Sequence, residues 1–146
     1  MRKILTICAF LFSLKSFGRF VTPDQIDSVL KKSLKGKTKI INPKEPKAFF
    51  CVYKKKDHQP ITVFIRFYDI GKQYQFYYID SQLVKVKFLE YTEKKTPRYN
   101  HTAVYYFTND SLLQKKEINL PPQDINEIHQ LGIDYFLKAK TIFPNN

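Results

Sequence analysis

Apolar and polar positions follow a clear rhythm between Ile61 and Phe88. Ile61 to Tyr68, Gln73 to Ile79 and Leu83 to Phe88 are rich in β-branched and aromatic residues, and Asp69–Lys72 and Asp80–Gln82 break them. Such runs between short polar breaks predict a three-stranded antiparallel meander. In the last run Val84, Val86 and Phe88 alternate with Lys85 and Lys87, which predicts one buried and one wet face. In the middle run Tyr74, Phe76 and Tyr78 share a face, opposite Gln73, Gln75, Tyr77 and Ile79.

The flanking segments extend the pattern. Thr22-Pro23-Asp24-Gln25 is a helix start, with a capping threonine, proline at the first helical position and glutamine closing the box. Ile26, Val29, Leu30 and Leu34 follow at helical spacing and Gly36 stops them, so a helix is expected over 23–35. A basic connector with Pro43 and Pro46 follows, in which Ile40-Ile41 is a candidate short edge strand. Strands are expected at Ala48–Tyr53, Thr102–Thr108 and Leu112–Ile118, with a polar loop from Glu90 to Asn100. Pro121-Pro122 opens a C-terminal helix ending near Phe143, with Ile125, Ile128, Gly132, Tyr135, Phe136 and Ala139 on one face. The expected fold is α+β: an N-terminal helix, an antiparallel meander sheet of about six strands, and a C-terminal helix, with the helices packed on the apolar face. Residues 77–85 and 105–115 look alike, each with paired tyrosines, an Asp/Ser turn, an apolar pair and a lysine; shared hairpin grammar accounts for this better than an old duplication does.

The first eighteen residues alter the picture of compartment. Arg2 and Lys3 precede an apolar run from Ile4 to Leu14, and Ser16-Phe17-Gly18 offers small residues for cleavage. That order predicts a signal peptide over 1–18 and a single α+β domain over 19–146, exported to the periplasm or the exterior. Lys15 interrupts the pattern, and cleavage after Ser16 is the alternative; the apolar run is too short to span a bilayer, and no transmembrane segment is expected after its removal. Removal takes away Arg2, Lys3 and Lys15 and no acid, lowering the net charge from +12 to +9. It also removes Cys8, leaving Cys51 with no internal disulfide partner.

The chemistry-bearing residues form no motif. His58, His101 and His129 lack metal-ligand spacing, and no metal or cofactor is expected. Cys51 lies mid-strand between Phe50 and Val52, the setting of a structural thiol. Asp69, Asp80 and Asp110 occupy turn positions. No acid, base and nucleophile set is visible, so a hydrolytic enzyme ranks third among the readings. Second is a pocket protein holding an apolar or aromatic molecule between sheet and C-terminal helix; six antiparallel strands followed by a long helix resemble the layout of helix-grip and NTF2-like cavities. An empty space above about 300 Å³ there would favour it.

Charge placement supports the leading reading. Residues 31–56 carry ten lysines, Lys31, Lys32, Lys35, Lys37, Lys39, Lys44, Lys47, Lys54, Lys55 and Lys56, against the single acid Glu45. The rest of the chain beyond the leader sums to zero. Such a segment attracts anionic surfaces when its charges share one patch, and is otherwise a solvated loop. Its partners would be an anionic envelope polymer, a lipid headgroup or an acidic protein. The absence of arginine disfavours sequence-specific nucleic-acid recognition. The expectation is a small exported, non-enzymatic binding protein of the cell envelope.

Overall fold

A computed structural model describes residues 20–43, 48–91 and 99–143. The expected leader, Lys44, Lys47 and the loop around Pro97 lie outside the described residues.

Helix α1 spans Pro23–Lys35, as its sequence dictates. The Thr22 hydroxyl accepts from the Gln25 amide at 3.3 Å, and the Gln25 side chain accepts from the Thr22 amide at 3.2 Å. Seven strands follow: β1 (Thr38–Ile41), β2 (Phe49–Lys54), β3 (Pro60–Phe67), β4 (Lys72–Ile79), β5 (Gln82–Tyr91), β6 (Tyr99–Thr108) and β7 (Ser111–Ile118). They pair antiparallel in sequence order, and β1 is the short edge strand suggested by Ile40-Ile41. Helix α2 spans Ile125–Ile142. It begins four residues later than the prolines suggest, because the Asp124 carboxylate accepts from the Asn126 and Glu127 amides at 2.9 and 3.1 Å and sets the cap there.

The two helices pack on opposite faces of the sheet, not together on one. Against α2 lies the larger cluster, with Phe49, Cys51, Tyr53, Val63, Ile65, Phe76, Val86, Phe88, Tyr105 and Phe107 from the strands and Ile128, Phe136 and Ala139 from the helix. Gly132 allows the close approach: a Cβ there would lie 2.6 Å from Leu83 Cδ2. The Tyr78 and Tyr53 hydroxyls, each buried, donate to the carbonyls of Gly132 and Ala139 at 2.6 Å, so the polar end of each ring is satisfied by the helix. Against α1 lies a smaller cluster of Phe20, Ile26, Leu30, Tyr77, Ile79 and Val84, with Tyr106 and Leu113 at its margin.

Bulges build that second cluster. Asp80-Ser81 and Asn109-Asp110 each form a two-residue turn with positive φ at both positions (47° and 68°, 48° and 61°), the geometry that matches strand twist. Across the first turn Tyr78 pairs with Leu83 and Tyr77 with Lys85, leaving Val84 extra; across the second Phe107 pairs with Leu112 and Tyr106 with Gln114, leaving Leu113 extra. The extra residue stands third after the turn in both hairpins. They are therefore alike, but with Tyr77 matching Tyr106, one residue off the correspondence the paired tyrosines suggest. A bulge breaks the period of two. Val84 consequently faces α1, while Leu83, Val86 and Phe88 face α2, which corrects the expectation that Val84, Val86 and Phe88 share a face. Lys85, expected on a wet face, is buried beneath α1.

Candidate functional site

The end of α1 meets the β2–β3 turn. The Lys54 amide donates to the Gln59 carbonyl and the His58 amide to the Lys54 carbonyl, both at 3.0 Å, closing the turn. The Lys55 amide donates to the Lys37 carbonyl at 3.0 Å, fastening the segment after α1 to the same turn. Between them is a cleft of about 400 Å³ lined by Lys32, Ser33, Gly36, Lys37, Lys54, Lys55 and Lys56. Among the described residues, five lysines and no acid therefore line one concavity, drawn from helix, connector and turn. Gly36 has no side chain to fill it.

The opposite flank of α1 bounds a second groove of about 380 Å³, lined by Asp27, Leu30, Lys31, Leu34, Lys35, Tyr77, Lys85 and Lys87. At 100° per residue, positions 27, 31 and 35 fall on one side of the helix and 32 and 36 on the other, with the buried Ile26 between the two flanks. Lys85 Nζ lies 2.5 Å from Asp27 Oδ1, and the Tyr106 hydroxyl donates to Asp27 Oδ2 at 2.9 Å. The Lys85 ammonium also stands 4.9 Å from the Tyr106 ring centroid, and that of Lys87 5.7 Å from the Tyr77 ring. Burial, with the nearby Asp27 charge, pushes Tyr77 up to about 12, and burial raises Tyr106 as well. Both phenols stay protonated at neutral pH, and Tyr106 can act as a donor.

The ten lysines singled out in the sequence are thus divided. Lys32, Lys37, Lys54, Lys55 and Lys56 share the cleft, and Lys31 and Lys35 line the groove. Lys39 stands apart, its Nζ 5.1 Å over the Phe143 ring at the end of α2. Lys44 and Lys47 lie outside the described residues. Lys85 and Lys87 escaped the sequence reading because β5 reaches α1 only through the folded sheet; no local signal marks them. Arg66 is held elsewhere, donating through Nε and Nη2 to Gln73 Oε1 at 2.9 and 2.7 Å. Ammonium groups on flexible stems give the cleft attraction for anions without the planar fork that reads a particular geometry.

Other chemistry-bearing residues have structural surroundings. Cys51 is fully buried, and burial pushes its thiol up to about 11, so it holds no thiolate at neutral pH. His58 stacks on Phe143 with ring centroids 4.1 Å apart, and His129 Nε2 lies 3.5 Å from Asp110 Oδ1. Among the described residues no group of three or more His, Cys, Asp or Glu could hold a metal ion. Tyr74, Phe76 and Tyr78 belong to the cluster under α2, where Tyr74 and Phe76 stack at 5.6 Å. A concavity beside the start of α2, lined by Tyr74, Glu127 and Ile128 among others, holds about 50 Å³, too little for a drug-sized ligand. No helix among the described residues is long and apolar enough to cross a membrane. No protein-family model, curated protein or solved structure matches the chain.

Proposed function

We propose that this chain is a small exported, non-enzymatic binding protein of the cell envelope that holds an anionic partner in the cleft between the end of α1 and the β2–β3 turn. One observation carries the reading: Lys32, Lys37, Lys54, Lys55 and Lys56, from three separate segments, line one concavity with no acid among the described residues. Like-charged ammonium groups gathered around one concavity raise the local potential and concentrate counter-ions. Their apolar stems form much of the wall and leave the charged heads in water. The ordered basic, apolar and small residues of positions 1–18 supply the case for export.

The test is binding of anionic vesicles and polymers by the chain begun at Arg19, over a range of salt. Wild type binds and weakens steeply with salt, because exposed charges are screened beyond about 8 Å at physiological ionic strength. Reversing Lys54, Lys55 and Lys56 to Glu removes binding with the fold intact. Reversing Lys116, Lys138 and Lys140, exposed on β7 and α2, leaves most of it. Equal loss in both variants, or no salt-sensitive binding by wild type, would overturn the proposal. Export is checked by N-terminal sequencing of protein made from the full chain, with Phe17 or Arg19 expected first; a cytoplasmic protein retaining Met1 would contradict it.

A further inference from the structure

The cleft and the groove flank the same helix. One side of α1 offers Lys32 and Lys37 with the three lysines of the β2–β3 turn; the other offers Lys31, Lys35 and Lys87. The floor of the groove is electrically settled, since Lys85 is paired with Asp27 beneath it. Lys31, Lys35 and Lys87 are exposed, so their charges stand at the rim. The two concavities are separated by the C-terminal half of α1, a ridge about 10–12 Å across including side chains. Resting on the reading of the cleft given above, we infer that the partner is a flexible linear polyanion, a chain of repeated phosphate-type charges, that crosses the end of α1 and occupies both concavities at once.

The shape of the surface favours a linear polymer over a membrane. The lysines line hollows on either side of a ridge, where a thin chain can follow them and a flat bilayer would rest mainly on the ridge. The crossing point is the last turn of the helix, where Lys32 and Lys35 offset the partial negative charge that would otherwise repel an anion. The cations are all lysine, which suits a partner recognised by charge density along a chain rather than by a fixed planar group. A chain engaged in one concavity then meets the second at high effective concentration, which multiplies affinity without new contacts.

Chain length is the discriminating variable. Orthophosphate, tripolyphosphate and long-chain inorganic polyphosphate serve as probes, with phosphatidylglycerol vesicles for comparison, at fixed salt. Wild type is expected to bind long-chain polyphosphate at least about a hundredfold more tightly than tripolyphosphate, within the range bivalent engagement gives. Reversing Lys54, Lys55 and Lys56 to Glu, or separately Lys31, Lys35 and Lys87 to Glu, should each abolish that length-dependent gain. Circular dichroism and the denaturation midpoint confirm that both variants fold, and single reversals at Lys35 and Lys87 repeat the test should the triple variant not fold. If reversal in the groove leaves long-chain binding unchanged while reversal in the cleft removes it, the crossing is refuted and the cleft alone binds. If vesicles bind as tightly as the long chain and show the same dependence on both flanks, the polymer assignment is refuted. Failure of every probe on wild type would refute the cleft itself.

Discussion

The sheet is covered differently on its two faces. Under α2 the contacts are aromatic and aliphatic, the helix approaches closely at Gly132, and two buried tyrosine hydroxyls are tied to its carbonyls. Under α1 the cluster is smaller, depends on the extra residue of a bulge, and includes an ion pair whose carboxylate is 44% exposed. Among the described residues a concavity beside the start of α2 holds about 50 Å³. The sparsely covered face leaves a hollow on each side of its helix and lines both with lysine. Stability is concentrated on one side of the sheet and candidate binding surface on the other.

Core truncation gives the largest test of that contrast. Val86→Ala, fully buried under α2, should cost about 3 kcal/mol, from the lost methyl groups and a cavity the packed face cannot close, whereas the same truncation at Val84 under α1 should cost about 2 kcal/mol. Urea midpoints at constant m-value measure both. Equal costs would mean that the α1 cluster is as well packed as the other and that the contrast is false.

The ion pair gives a smaller effect. A double-mutant cycle of Asp27→Asn and Lys85→Met should return a coupling of about 1–2 kcal/mol, between buried and exposed pairs, because water reaches the Asp27 carboxylate. A coupling near zero would show that the ion pair does not help to hold α1.

Alkali gives an effect that is read as a slope. The Cys51 thiol titrates near 9.0 when unconstrained and near 11 in the fold, so the folded state holds its proton longer. Stability is therefore fully present below about pH 9 and declines as pH rises from there through 11. Tyr74 and Tyr77, shifted from 10.0 to about 12, add to the decline above about pH 10. Cys51→Ala should flatten the first part of this decline, and the native thiol should resist alkylation at neutral pH. Rapid labelling at neutral pH would place Cys51 outside the core of the α2 face.

The sequence made α1 legible to the residue, since Thr22, Pro23, Gln25 and Gly36 are local signals acting over a few positions. The meander was legible for the same reason. What stayed hidden depended on pairing. Lys85 stays opposite Val86 and Phe88, as alternation says, but α1 covers that face, where Lys85 meets Asp27, and the bulge brings Val84 onto the same face. That bulge is set by a cross-strand register that periodicity cannot specify. The later start of α2 is not legible in the sequence, because two prolines are as compatible with an extended connector as with a first helical turn. The lysine segment was visible as composition, but its division between two flanks follows from the helical repeat and the closure of the β2–β3 turn. Its third contributor, β5, lies thirty residues further along.

The most direct test of the account is to map a bound polyanion onto the chain residue by residue. Backbone and lysine side-chain NMR signals, followed while long-chain polyphosphate is added to the chain begun at Arg19, would locate the contact. The account predicts perturbations at Lys31, Lys32, Lys35, Lys37, Lys54–Lys56 and Lys87, with Lys116, Lys138, Lys140 and the cluster under α2 undisturbed. Perturbations centred on α2, or spread evenly over every lysine of the surface, would contradict it.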